Sequence, residues 1–511
     1  MTIADFATYT DPVRAWARAT PDKCAIVSTT RDPRATGSHR SQVSYAQLDD
    51  AAGRWAALLT AEGIAAGDRV AVLSMNRVEL VALLYGCGRI GAALVPLNWR
   101  LSSAELQRIV ADAQPKLIVG ESRFADRRVA VAGDVTWLDL DADAPTVLAT
   151  MRPNADATLA LESIAIVLYT SGSTGRPKGA MLSQRQLLFN AIATNTGWNL
   201  GAEDIAPIST PFFHTGGWNV FSTPMWLAGG TVVLLDGFDA ATFLDALAAE
   251  RCTVAFGVPT QLVMLAESAA WGRELPDLRW FACGGAPCPP QLAARVHGAG
   301  YKLRLGFGMT EFGPNCFGTS DEMAVAKPES VGWPMPFVQM RLVDEQMADV
   351  ATGEVGELLL RGPQLFSGYL NDPVRTAEAM TPDGWLRTGD LASRDADGAY
   401  TIRGRRKDMF ISGGENVFPG EIEASLADCE GVAEAVVVGV PHAKWGEVGH
   451  GFVQPRTGAA PDVNVLLATL RERLAHYKVP KALEIVAELP RIGSGKVDRA
   501  ALRRRAEEMA R

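Results

Sequence analysis

Along the first 160 residues the apolar positions switch between two periods. Residues 45–62 carry Leu48, Ala52, Trp55, Leu58 and Leu59 at three- and four-residue spacing, the stripe of one helix face. Gly63 stops that stripe, and the run at 69–74, apolar from Val70 to Leu73, reads as a strand. The succession recurs as helix 78–90, strand 92–96, helix 104–113 and strand 116–119. Helices alternating with short buried strands predict a parallel, doubly wound sheet. The middle third repeats the theme with strands at 164–169, 231–235, 253–258, 278–283 and 302–306. Three of these run into loops rich in Gly, Ser and Thr, and in α/β sheets ligands bind beyond the carboxyl ends of strands. Near residue 350 the texture changes, and 353–361 and 398–403 predict antiparallel β-ribbons. After Arg405, a helix from 421, a strand at 433–440, a helix at 463–476 and a strand at 483–486 predict a compact α+β unit. The expected fold class is therefore α/β. A large N-terminal domain of layered α/β subdomains plus a β-ribbon subdomain spans 1–406, and a small α+β C-terminal domain spans 407–511.

Composition narrows the function. Of 511 residues 48% are apolar, enough for a large core. Lys plus Arg is 49 against 58 Asp plus Glu, leaving a net charge of −9 and no overall footprint of a nucleic-acid binder. The most apolar stretch, 80–97, is broken by Arg89, three glycines and Pro96, so no integral membrane segment is expected. The N-terminus lacks a basic flank before an apolar run, which predicts a cytoplasmic protein. Seven cysteines without a Cys-x-x-Cys spacing predict neither a disulfide framework nor a zinc site. The 49 glycines are left to explain, and their positions are informative.

Much of that glycine falls in six segments. Tyr169-Thr-Ser-Gly-Ser-Thr-Gly-Arg-Pro-Lys-Gly179 follows an apolar strand and joins hydroxyls, close-approach backbone and a positive charge, a combination suited to polyphosphate. It is not a Walker A loop, and Gly493-Ser-Gly-Lys496 fails that pattern too. Gly306-Phe-Gly-Met-Thr-Glu311 offers a stacking ring, a hydroxyl and a carboxylate able to hold a hard cation. Cys283-Gly-Gly-Ala-Pro287 is small enough to admit a flat ring. Gly384-Trp-Leu-Arg-Thr-Gly-Asp390 supplies an acid suited to ribose hydroxyls. Gly404-Arg-Arg-Lys-Asp-Met-Phe-Ile-Ser-Gly-Gly-Glu-Asn416 sits at the domain boundary, and Pro490-Arg-Ile-Gly-Ser-Gly-Lys496 places a lysine on a loop near the C-terminus. Taken singly, a capped turn at Thr310, a turn residue at Asp390 and a solvated surface lysine at Lys496 would read equally well.

In this order and spacing the six segments resemble the adenylate-forming (AMP-binding) superfamily of acyl-CoA synthetases, adenylation domains and luciferases, over about residues 10–505. The resemblance implies a ligase with ATP, Mg²⁺ and CoA. A carboxylate attacks the α-phosphorus of ATP, giving an acyl-adenylate and pyrophosphate, and a thiol then takes the acyl group and releases AMP. It assigns Thr170, Ser171, Gly172, Ser173, Thr174, Gly175 and Lys178 to the phosphate loop. Gly284, Gly285, Ala286 and Phe307 match the adenine slot, with Phe307 where many relatives carry Tyr. Asp390 and Arg405 match the ribose contacts, and Gly306, Gly308, Met309 and Ile402 fall among the implied ATP- and AMP-binding residues. Thr310 matches the α-phosphate contact, Thr170 and Glu311 the metal region, and Lys496 the lysine between substrate carboxylate and α-phosphate. Lys407 and Asp408 match a hinge about which the C-terminal domain rotates between the two steps. Ser412, Gly413, Gly414, Trp445 and Lys478, with Lys481, are implied CoA contacts.

The segment Pro211-Phe-Phe-His-Thr-Gly-Gly-Trp-Asn219 matches the acyl site, giving His214, Gly216, Trp218 and Asn219 as expected contacts, with His214 able to orient the acid. Met225 and Trp226 read equally as acyl wall or core helix. Relatives that activate α-amino acids carry an acid in this segment. Its absence here predicts an uncharged aliphatic or aromatic monocarboxylic acid. The expected partners are that acid, ATP and CoA. A carrier-protein phosphopantetheine as acceptor, a homodimer, and a non-catalytic nucleotide sensor stay open, though mere binding would need neither Glu311 nor Lys496.

Overall fold

The computed structural model describes residues 7–29, 40–170, 177–412, 415–442, 445–492 and 495–509. The predicted helices form as Tyr45–Ala61, Val78–Arg89 and Ser103–Ala113. Ser44 begins the first with a capping box, its Oγ accepting from the Gln47 N–H while Gln47 Oε1 accepts from the Ser44 N–H at 2.8 Å. The first two pack closely because Gly86 has no side chain: a Cβ there would meet Trp55 Cβ at 2.6 Å. Arg89, which breaks the apolar run, is buried between Asp11 and Asp49 at 2.7 Å from each, so its charge is paired where water is absent.

The strands do not assemble in chain order. The first sheet runs Lys178–Ser183, Ile164–Thr170, Ala93–Pro96, Arg69–Leu73, Leu117–Gly120 and Thr136–Asp139, parallel except for Lys178–Ser183 at its edge. Its neighbour runs Ile205–Ile208, Thr231–Leu234, Cys24–Ser28 and Ser41–Ser44. Middle-third strands thus complete the first sheet, and two N-terminal strands complete the second. Register explains the swap: Val232, Val233 and Leu234 pair in parallel with Ile26, Val27 and Ser28, all but buried on both sides. A third parallel sheet, Val254–Gly257, Trp280–Cys283 and Leu303–Leu305, continues from it through the Thr253 N–H to Ile205 O bond of 2.9 Å.

The β-ribbon subdomain forms as Gln339–Val343, Val355–Arg361, Leu386–Arg394 and Tyr400–Arg405, all antiparallel. Beyond it, Val432–His442 and Gly446–Pro455 pair along ten residues and are joined by Phe410–Ser412, Glu415–Val417 and Ala482–Ile485. This unit has its own apolar clusters, one around Phe410, Ile422 and Leu470 and another around Phe452, Leu489 and Leu502. Among the described residues no helix is long and apolar enough to cross a membrane.

Candidate active site

The candidate residues converge where the strands of all three parts end. Asp390 and Arg405 stand opposite one another on adjacent antiparallel strands, with Arg405 Nε 2.8 Å from Asp390 Oδ1. Asp390 is 4% exposed, and its other carboxylate oxygen is buried with no partner among the described residues. Burial raises its pKa to about 6, against the pull of Arg405 and then Lys496. A buried, half-satisfied acceptor is a standing invitation to a donor such as a hydroxyl.

Glu311 lies beyond Leu303–Leu305, and Tyr369 donates its hydroxyl to Glu311 Oε1 at 2.8 Å. The Phe366 N–H holds the Glu311 carbonyl at 2.8 Å. The ammonium of Lys178 stands 4.7 Å above the Tyr369 ring, and Lys178 pairs in register with Thr170. Tyr369 therefore ties the end of the phosphate-loop segment to the acid. Nothing in sequence spacing pointed to it; its only local signal is Gly368-Tyr369 between apolar positions, with Gly368 in a left-handed conformation. Ser171, Gly172, Ser173, Thr174 and Gly175 lie outside the described residues.

Gly284 to Pro287 form the loop after Trp280–Cys283. Gly284 is buried 3.3 Å from Gly306 O, measured from the Cβ it lacks, while Gly285 (φ +82°) and Ala286 are exposed. Gly306 donates to Cys283 O at 2.8 Å, so the two glycine loops run side by side. Phe307 is half-buried with its ring edge-on to Phe317, and Met309 and Ile402 pack partly buried against the same core. Thr310 is fixed through its carbonyl by Gln186 Nε2 at 3.0 Å. Gly308 serves a different need from the one expected. A Cβ there would meet Pro314 at 2.2 Å, so the chain's own turn, rather than a ligand, demands glycine.

The 211–219 segment is held from the first sheet by Asn76, which donates to Thr210 O at 2.9 Å and accepts from the Phe212 N–H at 3.0 Å. His214 is half-buried against Phe213. Burial, then Arg100 and Lys496, draw its pKa down to about 4, so it is neutral at physiological pH. Two of the expected acyl contacts turn inward in the structure. Trp218 is fully buried, stacked on Phe212, and gives its N–H to the Phe212 carbonyl. Asn219 turns both ends of its amide to Thr215 and Thr223. Both brace the π-helical turn Gly217–Ser222 from within. Trp226 and Met225 are likewise core. The aromatic group that does reach this region is Phe256, on Val254–Gly257. Its ring edges lie 3.8 Å and 3.6 Å from where Cβ atoms of Gly216 and Gly284 would stand. Sequence patterning treated it as a strand residue only.

Lys496 comes from the other domain. Its turn is closed by the Ile492 N–H to Lys496 O bond at 2.9 Å and a bridge between Arg491 and Val497. The ammonium is open to solvent within the cleft, yet enclosure by protein and the nearby Arg405 lower its pKa, with Asp390 and Glu311 acting the other way. Lysine, two acids, arginine and neutral histidine thus share one electrostatic neighbourhood. The expected CoA group sits elsewhere on the C-terminal unit. Buried Ser412 pairs with Gly446 beside Trp445, which is 39% exposed beneath the Lys481 ammonium at 6.0 Å. Lys478 is bound by Glu421 at 2.7 Å. Among the described residues neither Ser412 nor Lys478 makes a hydrogen bond or ion pair to the Lys496 cluster; Gly413 and Gly414 lie outside the described residues. Between the domains, Arg406 is tied to Glu357 at 3.1 Å and Asp408 faces Arg499 at 3.9 Å, while Lys407 makes no hydrogen bond or ion pair among the described residues.

Comparison with known proteins accounts for this arrangement. The AMP-binding enzyme model matches residues 13–370, and the AMP-binding enzyme C-terminal domain model matches 421–496. The chain is 39% identical over 470 residues to a feruloyl-CoA synthase of Amycolatopsis sp, covering 91% of this chain and 94% of that one. It is 38% identical over 490 residues to an indoleacetate–CoA ligase of Aromatoleum aromaticum, covering 93% and 94%. The o-succinylbenzoate CoA synthetase of Bacillus subtilis, solved with its acyl-adenylate intermediate, superposes with a TM-score of 0.87 at 28% identity over 97% of this chain and 98% of that one. The chain belongs to the AMP-binding enzyme family and is an ATP-dependent, AMP-forming acyl-CoA synthetase.

Proposed function

We propose that this synthetase activates an uncharged, apolar acid, with an aromatic monocarboxylate as the best fit, on the residues gathered around Lys496. The observation that carries the reading is the convergence of Lys496 with Glu311, Asp390, Arg405 and His214 from two domains. The first half-reaction brings a carboxylate against a polyphosphate, and a fixed ammonium between the two anions stabilises the transition state more than either reactant. Lys496 has that charge and that place. Asp390 takes the ribose hydroxyls on its free oxygen, and the slot between Gly284–Ala286 and Phe307 takes the adenine. Neutral His214 offers a single N–H to the acid without neutralising the charge that must attack phosphorus.

The residues present fit Mg²⁺. Glu311 keeps one oxygen free of the Tyr369 bond, and Thr170 supplies a hydroxyl nearby in the phosphate-loop strand pair. Hard oxygen donors in small number suit an ion that shares its shell with substrate phosphates. Among the described residues no cluster of three His, Cys, Asp or Glu could hold it alone. When bound, it offsets phosphate charge.

Phe256, spanning Gly216 and Gly284, gives the acyl side a flat apolar wall, and no acid occupies 211–219 to pair with an ammonium. The relatives named for feruloyl and indoleacetate chemistry act on aromatic acids and agree with this. The second half-reaction needs the Ser412–Trp445 group at the site, which requires rotation about Lys407. The test is pyrophosphate release over a panel of aromatic, aliphatic and amino acids, with AMP release followed with and without CoA. Aromatic acids should turn over fastest, with AMP release dependent on CoA. Preference for amino acids, or AMP release only with a phosphopantetheinyl carrier protein, would refute the reading.

A further inference from the structure

We propose that Asn190 and Asn315 are positioning residues for adenylate formation: their buried amides hold the acyl segment in register with the loop that carries Thr310 and Glu311. This rests on the reading of His214, Thr310 and Glu311 as groups of the first half-reaction. The π-helical turn Gly217–Ser222 pairs carbonyls with N–H groups five residues on, as the Thr223 N–H does with Trp218 O. The next carbonyl, Asn219 O, would need the N–H of Pro224, which a proline lacks. Val220 O meets the same gap in the α-helical spacing of Thr223–Ala228 that follows. Both residues are buried, where a carbonyl without a donor is costly. Two side-chain amides from outside the turn supply the donors. Asn190 Nδ2 gives a hydrogen to Asn219 O at 2.7 Å. Asn315 Nδ2 lies 3.2 Å from Asn219 O and 3.1 Å from Val220 O, and donates to Thr194 Oγ1 at 2.8 Å.

These bonds join three elements around one carbonyl. The helix Gln184–Trp198 presents Gln186, Asn190 and Thr194 at four-residue spacing, hence on one face, and all three are buried. Gln186 donates to Thr310 O at 3.0 Å, Asn190 reaches the turn, and Thr194 receives Asn315. The loop 306–315 is thus fastened to this helix on both sides of Glu311. It is also pressed against it: Gly313 has φ +92°, and a Cβ there would meet Asn190 Oδ1 at 2.6 Å. On the acyl side, the Gly217 N–H bonds to His214 O at 3.1 Å, so the turn and His214 are tied. Hydrogen bonds are directional, and they fix a spacing that apolar contact alone leaves free. That spacing bears on the rate, because attack on phosphorus needs the carboxylate held near contact, and a misplacement of about 1 Å costs about 100-fold.

The test uses the full-length enzyme. Asn190→Ala and Asn315→Ala should each lower kcat for pyrophosphate release by about tenfold or more, with KM for ATP and for the acid changed by less than about twofold. Thioester formation from pre-made acyl-adenylate should stay largely intact. Asn190→Ser, too short to reach Asn219 O, carries the same comparison where the alanine variant does not fold. Pro224→Ala then separates positioning from stability, because it returns an N–H to the turn. In Asn190→Ala/Pro224→Ala the melting temperature should recover toward that of the native enzyme, while kcat stays low, since the tie to the helix is still missing. If kcat recovers with the melting temperature, or both half-reactions fall equally, or only KM rises, the proposal is overturned. Glu311→Gln distinguishes this from a failure of the underlying reading. If it slows pyrophosphate release and the asparagine variants do not, the positioning role alone fails; if it leaves the rate unchanged, the site is misassigned and the proposal falls with it.

Discussion

At Lys496 and Asp390, burial and charge set opposite costs on groups with different tasks. In the proposed mechanism Lys496 is needed only where two anions meet. Lys496→Ala should therefore slow adenylate formation by about 100-fold or more, while thioester formation from pre-made acyl-adenylate stays largely intact, as separate assays of the two half-reactions would read. Equal loss in both would remove its assigned role. Asp390 is ionised at neutral pH against its own environment. Its folded pKa of about 6 lies above the unfolded value, so folding favours the protonated form, and stability from this group falls as pH rises through the folded pKa. Asp390→Asn should then raise the melting temperature of the ligand-free protein by about 2–4 °C while weakening ATP binding, as scanning fluorimetry and a KM measurement would report. In the native enzyme, KM for ATP should climb as pH falls below about 6. His214, with a pKa drawn down to about 4, should add no inflection of its own above that.

The elements decide how those residues are presented. The strand pair Leu386–Arg394 and Tyr400–Arg405 sets Asp390 opposite Arg405 by register alone, and a one-residue slip would turn both away from the cleft. Just beyond it Arg406 is tied to Glu357 and Asp408 faces Arg499, with Lys407 between them making no hydrogen bond or ion pair among the described residues. In the proposed rotation the pivot is then confined to one or two residues. Lys407→Pro fixes φ there. It should spare pyrophosphate release and slow CoA-dependent AMP release by at least about tenfold, the signature of a locked hinge. Equal rates in both steps would place the pivot elsewhere. Periodicity found most of these elements to within a few residues. It did not find the strand Lys178–Ser183, whose run after the phosphate loop mixes Lys, Gly, Met and Ser, nor the π-turn Gly217–Ser222, which no simple period describes.

For the whole molecule, the apolar clusters of the C-terminal unit are separate from the main core, and the side-chain contacts across the boundary include the hydrogen bond of Gln291 to the Asp428 carbonyl. Such an interface holds two bodies loosely. Calorimetry should resolve two transitions, the smaller one belonging to the C-terminal unit. A non-reactive acyl-adenylate analogue, bound between Lys496 and the large domain, should raise both together by mass action. A single transition that never splits would mean that the domains are one cooperative unit. The net charge of −9 bears on the same scale: polyanionic ATP and CoA are held against it, by local cations and backbone.

What the sequence by itself determined is local and ordered. Helix stripes, buried strands and glycine loops at strand ends are encoded within a few residues, and six such segments in a set order resemble one family. Lys178, Glu311, Asp390, Arg405 and Lys496 were legible because their chemistry is rare in such loops. What only the tertiary structure decided is who meets whom. Trp218 and Asn219 lie in the segment expected at the acyl site, yet their side chains turn inward to brace that segment. Phe256 and Tyr369 sit in ordinary strand and loop text, yet reach the site. Side-chain direction and long-range strand order follow from packing over the whole chain, where burial of one surface chooses its partner, and no window of sequence contains that choice.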